Sequence, residues 1–261
     1  TVQPSCGPKR WSFAFIDPEN FAPRVLKAML MQAGISIGGS VRFATTPQEA
    51  HLLHEGQSLP LYDIIADVNK FSNNVMARHV FLTLASASGN RHALSLPKAQ
   101  DAASVWWRKT FGTRFDVPVF DNGSGLSRSE RISAAALSDV LLKAHQHRDG
   151  AFFHSSLGVV GVDEGTAKRL AAREALLPLL GRATLKTGTL NDVKAIAGYV
   201  TGQSGRSYRV VALVNHAEAG RTATPVLDAF LRWVVEDQNA TQTQRKMAPN
   251  PHRRASNLGV Y

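Results

Sequence analysis

The 261-residue sequence predicts an α+β fold in which a helical layer is set against an antiparallel sheet. Three observations carry this reading. Between residues 61 and 177 apolar side chains recur mostly at helical spacing. Residues 183–188, 195–201 and 208–214 are then short runs rich in apolar and β-branched residues, separated by polar turns such as Gly202-Gln203-Ser204-Gly205, which is the pattern of a three-stranded meander. The helical period returns after Thr224, so a last helix can close over one face of that sheet.

Taken in order, residues 11–16 form an apolar run suited to a strand, and Asp17-Pro18 opens a turn into a helix with Phe21, Val25, Ala28 and Met29 on one side. Gly34 is placed to end that helix, and Pro23 is expected in its first turn, where the amides lack partners anyway. A second strand is expected at 40–43. The helical stretch 61–84 should break near Lys70-Phe71-Ser72-Asn73-Asn74, beyond which Ala77, Val80, Phe81 and Leu84 share a face. Small polar residues at 86–90 should stop it, and another helix is expected over 101–111. Asp121-Asn122-Gly123-Ser124-Gly125 is a dense turn signal. Ser127 with Glu130 has the spacing of a capping box for the next helix, whose inner stripe would be Leu137, Val140, Leu141 and Ala144. One more helix is expected at 165–177, stopped by Pro178 and Gly181. Thr224 is placed to cap the last helix, with Pro225 at its first position and Val226, Phe230, Trp233 and Val234 on one face. Residues 1–238 are thus expected to form the folded part. Residues 239–261 should be a loose basic tail, with Arg245, Lys246, Arg253 and Arg254 and no acid after Thr241.

Composition narrows the classes of function. Apolar runs such as Val210-Val211-Ala212-Leu213-Val214 fall far short of the ~20 residues a membrane-spanning helix needs, so no transmembrane segment is expected. Cys6 is the only cysteine, which rules out an internal disulfide and a cysteine-built metal site. His51 and His54 would share a helix face, but no Glu stands between them at metalloprotease spacing and no third ligand is evident, so no metal is expected. The formal charge of +10 favours anionic polymers of any kind. The four Trp, however, sit in or beside apolar periodic segments, which argues against nucleic acid as a partner.

Two short elements carry chemistry. Lys186-Thr187-Gly188 falls on the first strand of the meander, where it would present a cation, a hydroxyl and a residue without a side chain at an exposed edge. Such an edge suits a carboxylate, although a solvated strand with a glycine bend has the same letters. Ser72-Asn73-Asn74 lies where one helix gives way to the next, and a serine there can serve simply as a cap for free amides. A Ser-x-Asn element followed by Lys-Thr-Gly is, however, the pair that accompanies a Ser-x-x-Lys nucleophile in serine β-lactamases and penicillin-binding proteins. The interval between the two leaves room for several helices to pass before the strand returns to a shared cleft.

The phrases Val68-Asn69-Lys70-Phe71-Ser72-Asn73-Asn74, Asp121-Asn122-Gly123-Ser124-Gly125-Leu126-Ser127-Arg128 and Leu185-Lys186-Thr187-Gly188-Thr189-Leu190 resemble the D-alanyl-D-alanine carboxypeptidase/endopeptidase family, the class C low-molecular-mass penicillin-binding proteins. Ala197-Gly198-Tyr199-Val200 and Val214-Asn215-His216 extend the resemblance to roughly residues 21–233. It implies the α+β fold of the penicillin-binding and serine β-lactamase type, here incomplete at the amino-terminal side. It further implies a peptidoglycan stem peptide as substrate, attacked by a serine to give an acyl-enzyme that water later frees. β-Lactams would acylate the same serine, no cofactor or metal would take part, and the location would be periplasmic. By the same resemblance Ser72 relays a proton toward the leaving amine, Asn74 holds the substrate amide, and Lys186 and Thr187 hold the terminal carboxylate. Gly188 lets the ligand backbone approach, and the amide of Thr189 is one oxyanion donor. The turn at 121–128 is expected to shape the cleft wall, and His154 either packs or carries a proton.

No Ser-x-x-Lys precedes Ser72 in this sequence. Ser95-Leu96-Pro97-Lys98 has the letters, but it follows Ser72 and Pro97 is expected to obstruct the turn that would bring Lys beside Ser. The nucleophile is therefore expected on a missing amino-terminal half, supplied on the same precursor or on another chain. The competing reading is a module that binds peptidoglycan ends or β-lactams without its own nucleophile.

Overall fold

The computed structural model describes residues 17–40, 44–52, 54–88 and 94–237. The strand expected at 11–16, most of that at 40–43 and the tail from 239 lie outside the described residues. The chain divides into two compact units, Thr1–Gln57 and Ser58–Tyr261.

In the first unit, α1 (Pro18–Gln32) starts where the Asp17 side chain accepts the Asn20 amide at 3.3 Å. It ends as predicted at Gly34, with φ 81°, the Gly34 amide bonded to the Met31 carbonyl and the Ile35 amide to that of Leu30. That pair of bonds is what a left-handed glycine allows at a helix end. Pro23 is not in the first turn. Because the Asp17 cap starts the helix at Pro18, Pro23 falls inside it and removes one amide from the ladder.

The second unit holds a four-stranded antiparallel sheet, β1 (Gly158–Val159), β2 (Ala183–Thr189), β3 (Val193–Thr201) and β4 (Ser207–Asn215), in that spatial order. The meander lies where the β-branched runs place it, and β1 is too short to leave a sequence signal. Strand alternation gives the sheet two apolar faces. On one, Ala183, Leu185, Ile196, Val200 and Val210 pack under α9 (Thr224–Val235). On the other, Ala197, Tyr199 and Val211 meet Leu141 of α5 (Ala134–Gln146), and the buried Tyr199 hydroxyl donates to the Leu141 carbonyl at 2.7 Å. β2 and β3 approach closely at Gly198, where a Cβ would stand 2.1 Å from the Thr184 carbonyl oxygen.

The helical layer contains α2 (Leu61–Phe71), α3 (Asn74–Thr83), a 3-10 turn (Leu84–Ser88), α4 (Leu96–Phe111), α5 and α6 (Gly150–Ser156). The predicted break between α2 and α3 is present. α4 begins earlier than expected, because Pro97 sits in its first turn, where a missing amide costs nothing. Pro97 thus does not stop the helix, while Ser95 stays outside it in an extended conformation. Ala99, Ala103, Trp107 and Phe111 are the buried side of α4, with the Trp107 and Phe111 rings 4.4 Å apart.

Further expectations are corrected. Ser127 caps no helix: its hydroxyl accepts the Ser129 and Glu130 amides and closes a turn, while the Glu130 carboxylate accepts the Gly123 amide. α5 starts later, capped by the Ser133 hydroxyl on the Ala136 amide at 3.1 Å. The helix expected at 165–177 is two pieces, α7 (Thr166–Ala171) and a 3-10 turn (Glu174–Leu179). Tightening to three residues per turn puts Leu176 and Leu179 on one side, and both are fully buried. The inner face of α9 is Leu227, Leu231, Val234 and Val235, whereas Val226 and Trp233 are exposed. Thr224 does not cap α9, because the chain arrives already helical from α8 (Ala219–Thr222), and the Leu227 amide bonds back to the Ala223 carbonyl. Among the described residues no helix is long and apolar enough to cross a membrane.

Candidate active site

α2 ends at Phe71, and Ser72 turns the chain toward α3 with φ 55° and ψ 46°. Among the described residues it alone has a positive φ without being glycine, a conformation that costs a side-chain-bearing residue about 1–2 kcal/mol. The cap of α3 falls to Asn73, whose side-chain oxygen accepts the Met76 amide at 3.1 Å. The Ser72 hydroxyl is therefore not spent as a cap. It accepts a hydrogen bond from the Lys186 ammonium at 2.6 Å, across 114 residues of sequence.

Lys186 also donates to the Thr187 carbonyl at 2.9 Å. Burial holds its ammonium below the ordinary lysine value, and the charge of Arg169 adds to the effect. Asn74 opens α3 and is half-buried, and no described residue hydrogen-bonds its side-chain amide.

The strand edge beside Lys186 is open. β1 pairs with β2 only at Thr184 and Leu185, so beyond them the outer edge has no strand partner among the described residues. On that side the Ala183 carbonyl accepts the Val160 amide, and alternation along β2 turns the N–H and C=O of Thr187 and Thr189 the same way. Gly188 is exposed, and among the described residues a Cβ there would meet only Ala195 at an ordinary 3.6 Å. The described residues thus make no demand for glycine at 188 and leave room beside it.

Two residues just before Ser72 are tied down by partners far along the chain. Asn69 donates to the Ser156 hydroxyl at 2.8 Å, and Lys70 pairs with Asp163 at 2.9 Å. The other Asp163 oxygen accepts the Val159 amide. Burial pushes the Asp163 carboxyl up, but the Val159 amide and Lys70 outweigh it and leave it below its ordinary value. On the other flank, the turn at 121–128 sits on α3 through Gly123, where a Cβ would overlap Phe81, and an Arg128–Asp192 ion pair joins it to the β2–β3 hairpin. Neither tie was legible beforehand, since each joins residues that are adjacent only after folding.

His154 is bonded to neither Ser72 nor Lys186. Its Nε2 lies 3.2 Å from the Thr184 hydroxyl and its ring stacks on Tyr199 with centroids 4.8 Å apart. Burial, aided by His145, holds its pKa below the ordinary 6.5. The unfolded chain therefore takes up this proton first as pH falls. Stability is expected to drop as pH decreases below about 6.5 and to level off once the folded His154 also titrates. Urea denaturation at several pH values checks this, with a shallower slope expected for His154→Gln.

Ser95 is the residue before α4, Lys98 is exposed, and neither bonds to Ser72 or Lys186. His51 and His54 lie in the first unit, and no cluster of three His, Cys, Asp or Glu side chains suited to a metal exists among the described residues.

A sheet whose β2 edge beside Lys186 has no strand partner among the described residues, covered by helices that send a serine onto the edge lysine, defines an α+β protein of the penicillin-binding type. The sequence matches the pattern of the D-Ala-D-Ala carboxypeptidase 3 (S13) family over residues 1–234, and the chain belongs to that family. The D-alanyl-D-alanine carboxypeptidase DacB of Haemophilus influenzae is 28% identical over 211 residues, which cover 80% of this chain and 43% of that protein. The D-alanyl-D-alanine carboxypeptidase of an Actinomadura strain is 28% identical over 220 residues, covering 82% of this chain and 40% of that one. The crystal structure of penicillin binding protein 4 from Haemophilus influenzae, complexed with a β-lactam, superposes with a TM-score of 0.72 at 26% identity, covering 88% of this chain and 52% of that one. The chain thus spans less than half the length of these curated relatives.

Proposed function

We propose that this chain forms part of a serine-type D-Ala-D-Ala carboxypeptidase/endopeptidase that cleaves peptidoglycan stem peptides through an acyl-enzyme. The observation that carries the reading is the 2.6 Å bond from the Lys186 ammonium to the Ser72 hydroxyl. As acceptor of that hydrogen, Ser72 keeps its own proton free for the departing amine, and Lys186 can restore it. An ammonium held below its ordinary pKa gives up a proton more readily. The Asn74 amide takes the substrate amide. The outward N–H and C=O groups of Thr187 and Thr189 receive the ligand as an added strand, beside the room left at Gly188. The Thr189 amide faces the developing oxyanion.

On this reading the attacked serine lies on a Ser-x-x-Lys segment outside these residues, β-lactams acylate it, and the site works in the periplasm without metal or cofactor. Incubation with a labelled penicillin, followed by intact mass measurement, tests the reading. The chain alone is expected to show no adduct, whereas the chain joined to such a segment should be labelled on the segment's serine. An adduct on Ser95 would overturn the assignment. Joined protein that stays unlabelled would favour the module that binds without bond formation.

A further inference from the structure

Ser72 holds a left-handed conformation that a residue with a side chain keeps only where its surroundings impose it. The imposition is visible in the last turn of α2. Asn69 is bonded to Ser156 and Lys70 to Asp163, 87 and 93 positions further along the chain. Gly165 closes on the same turn, where a Cβ would stand 2.8 Å from the Lys70 carbonyl oxygen. The backbone that delivers the Ser72 hydroxyl is thus fixed by contacts that all come from residues 156–165.

Asp163 is the residue that ties this segment to both sides of the site. One carboxylate oxygen takes the Lys70 ammonium and the other accepts the Val159 amide, each at 2.9 Å. The Asp163 amide returns a bond to the Val159 carbonyl at 3.0 Å, so the turn 159–163 is closed from both ends. Val159 belongs to β1, which pairs with Thr184 and Leu185 of β2, and Lys186 is the next residue of that strand. The carboxylate therefore links the helix end that leads to Ser72 with the strand that carries Lys186. Burial opposes its ionisation, but the Val159 amide and Lys70 outweigh burial and keep the carboxylate charged.

We propose that Asp163 is a positioning residue: through Lys70 and Val159 it sets the Ser72 hydroxyl against the Lys186 ammonium. It is bonded to neither group and acts through the two elements that carry them. In its consequence for acylation the inference rests on the peptidase reading. A partly exposed ion pair adds little to folding, whereas a small misplacement of a reacting group costs much in rate. Rate and folding stability should therefore respond differently to its loss.

The first test uses the full chain with isotope-labelled lysine side chains, read at the Lys186 ammonium resonance. Ser72→Ala removes the acceptor and so defines the shift that accompanies loss of the bond. Asp163→Asn keeps an acceptor for Val159 but gives up the charge that holds Lys70. Asp163→Asn and Lys70→Met should both move the resonance the way Ser72→Ala does, and Lys70→Arg, which keeps the pair, should leave it near its original place. Amide spectra verify the fold of each variant. A resonance that moves in Ser72→Ala but not in Asp163→Asn overturns the inference while leaving the peptidase reading intact. A resonance unmoved even in Ser72→Ala would remove the bond itself and both readings with it. The second test measures penicillin acylation in protein that carries the nucleophile segment. Asp163→Asn should slow it about tenfold where Ser72 is present and about twofold or less in a Ser72→Ala background, because a residue that acts through Ser72 has nothing to position once the hydroxyl is gone. General loosening of the fold would slow both backgrounds alike, so equal factors overturn the inference. If the resonances shift as expected and the joined protein takes no penicillin, the positioning role stands and the peptidase reading falls.

Discussion

Replacing Lys186 by methionine is expected to slow penicillin acylation on the order of 10²–10³-fold in protein that carries the nucleophile segment. The substitution keeps the apolar stem and removes the donor that Ser72 and the Thr187 carbonyl share. Both acceptors are half-buried, so water can take the vacated place and the loss in folding stability should stay near ~1 kcal/mol. Rate and stability are thereby separated. Lys186→Arg sharpens the result, because a guanidinium preserves charge but cannot surrender a proton near neutral pH. It is expected to be nearly as slow as the methionine variant. Labelling rates and thermal unfolding of both variants check this, and a slowing of less than about threefold in Lys186→Met would remove the lysine from the proton path.

The second large effect is on folding. Gly198→Ala is expected to cost roughly 3–5 kcal/mol or to prevent folding, the range of the most damaging single substitutions. At φ 150° an added Cβ would stand 2.1 Å from the Thr184 carbonyl oxygen and 3.0 Å from the Leu185 Cα. Both obstacles are backbone, so no side chain can swing aside. Relief requires separating β2 from β3 one residue before Lys186, and the site should be lost with the ladder. Urea denaturation measures the cost, and a loss below about 1 kcal/mol would show that the two strands can part at this point without penalty.

Local rules carried the sheet and the centre of the site. β-Branched runs divided by polar turns placed β2, β3 and β4 to within a residue or two, and the polar cluster at 70–74 placed the break that exposes Ser72. Where long-range packing decides, local rules failed. The split of the 165–177 helix follows from the burial of Leu176 and Leu179, and the rotation of α9 follows from which side meets the sheet. Neither quantity is written in a window of neighbouring letters. The same holds for Lys70 with Asp163, 93 positions apart. Ser72 is instructive in a different way. Its capping role was a reasonable reading, but the adjacent Asn73 takes the cap and frees the hydroxyl.

The rim of β2, which beyond Leu185 has no strand partner among the described residues, also bears on self-association. A naked strand edge is a template for any other extended chain, including the same edge of a second copy. Here that rim is guarded by Lys186 on one side and by Arg169 and Lys194 on the other. Two such rims brought together would set like charges against each other, whereas a peptide ending in an anion meets no such repulsion. The cations beside this edge thus act as a filter on partners, disfavouring the stacking of one copy on another along it.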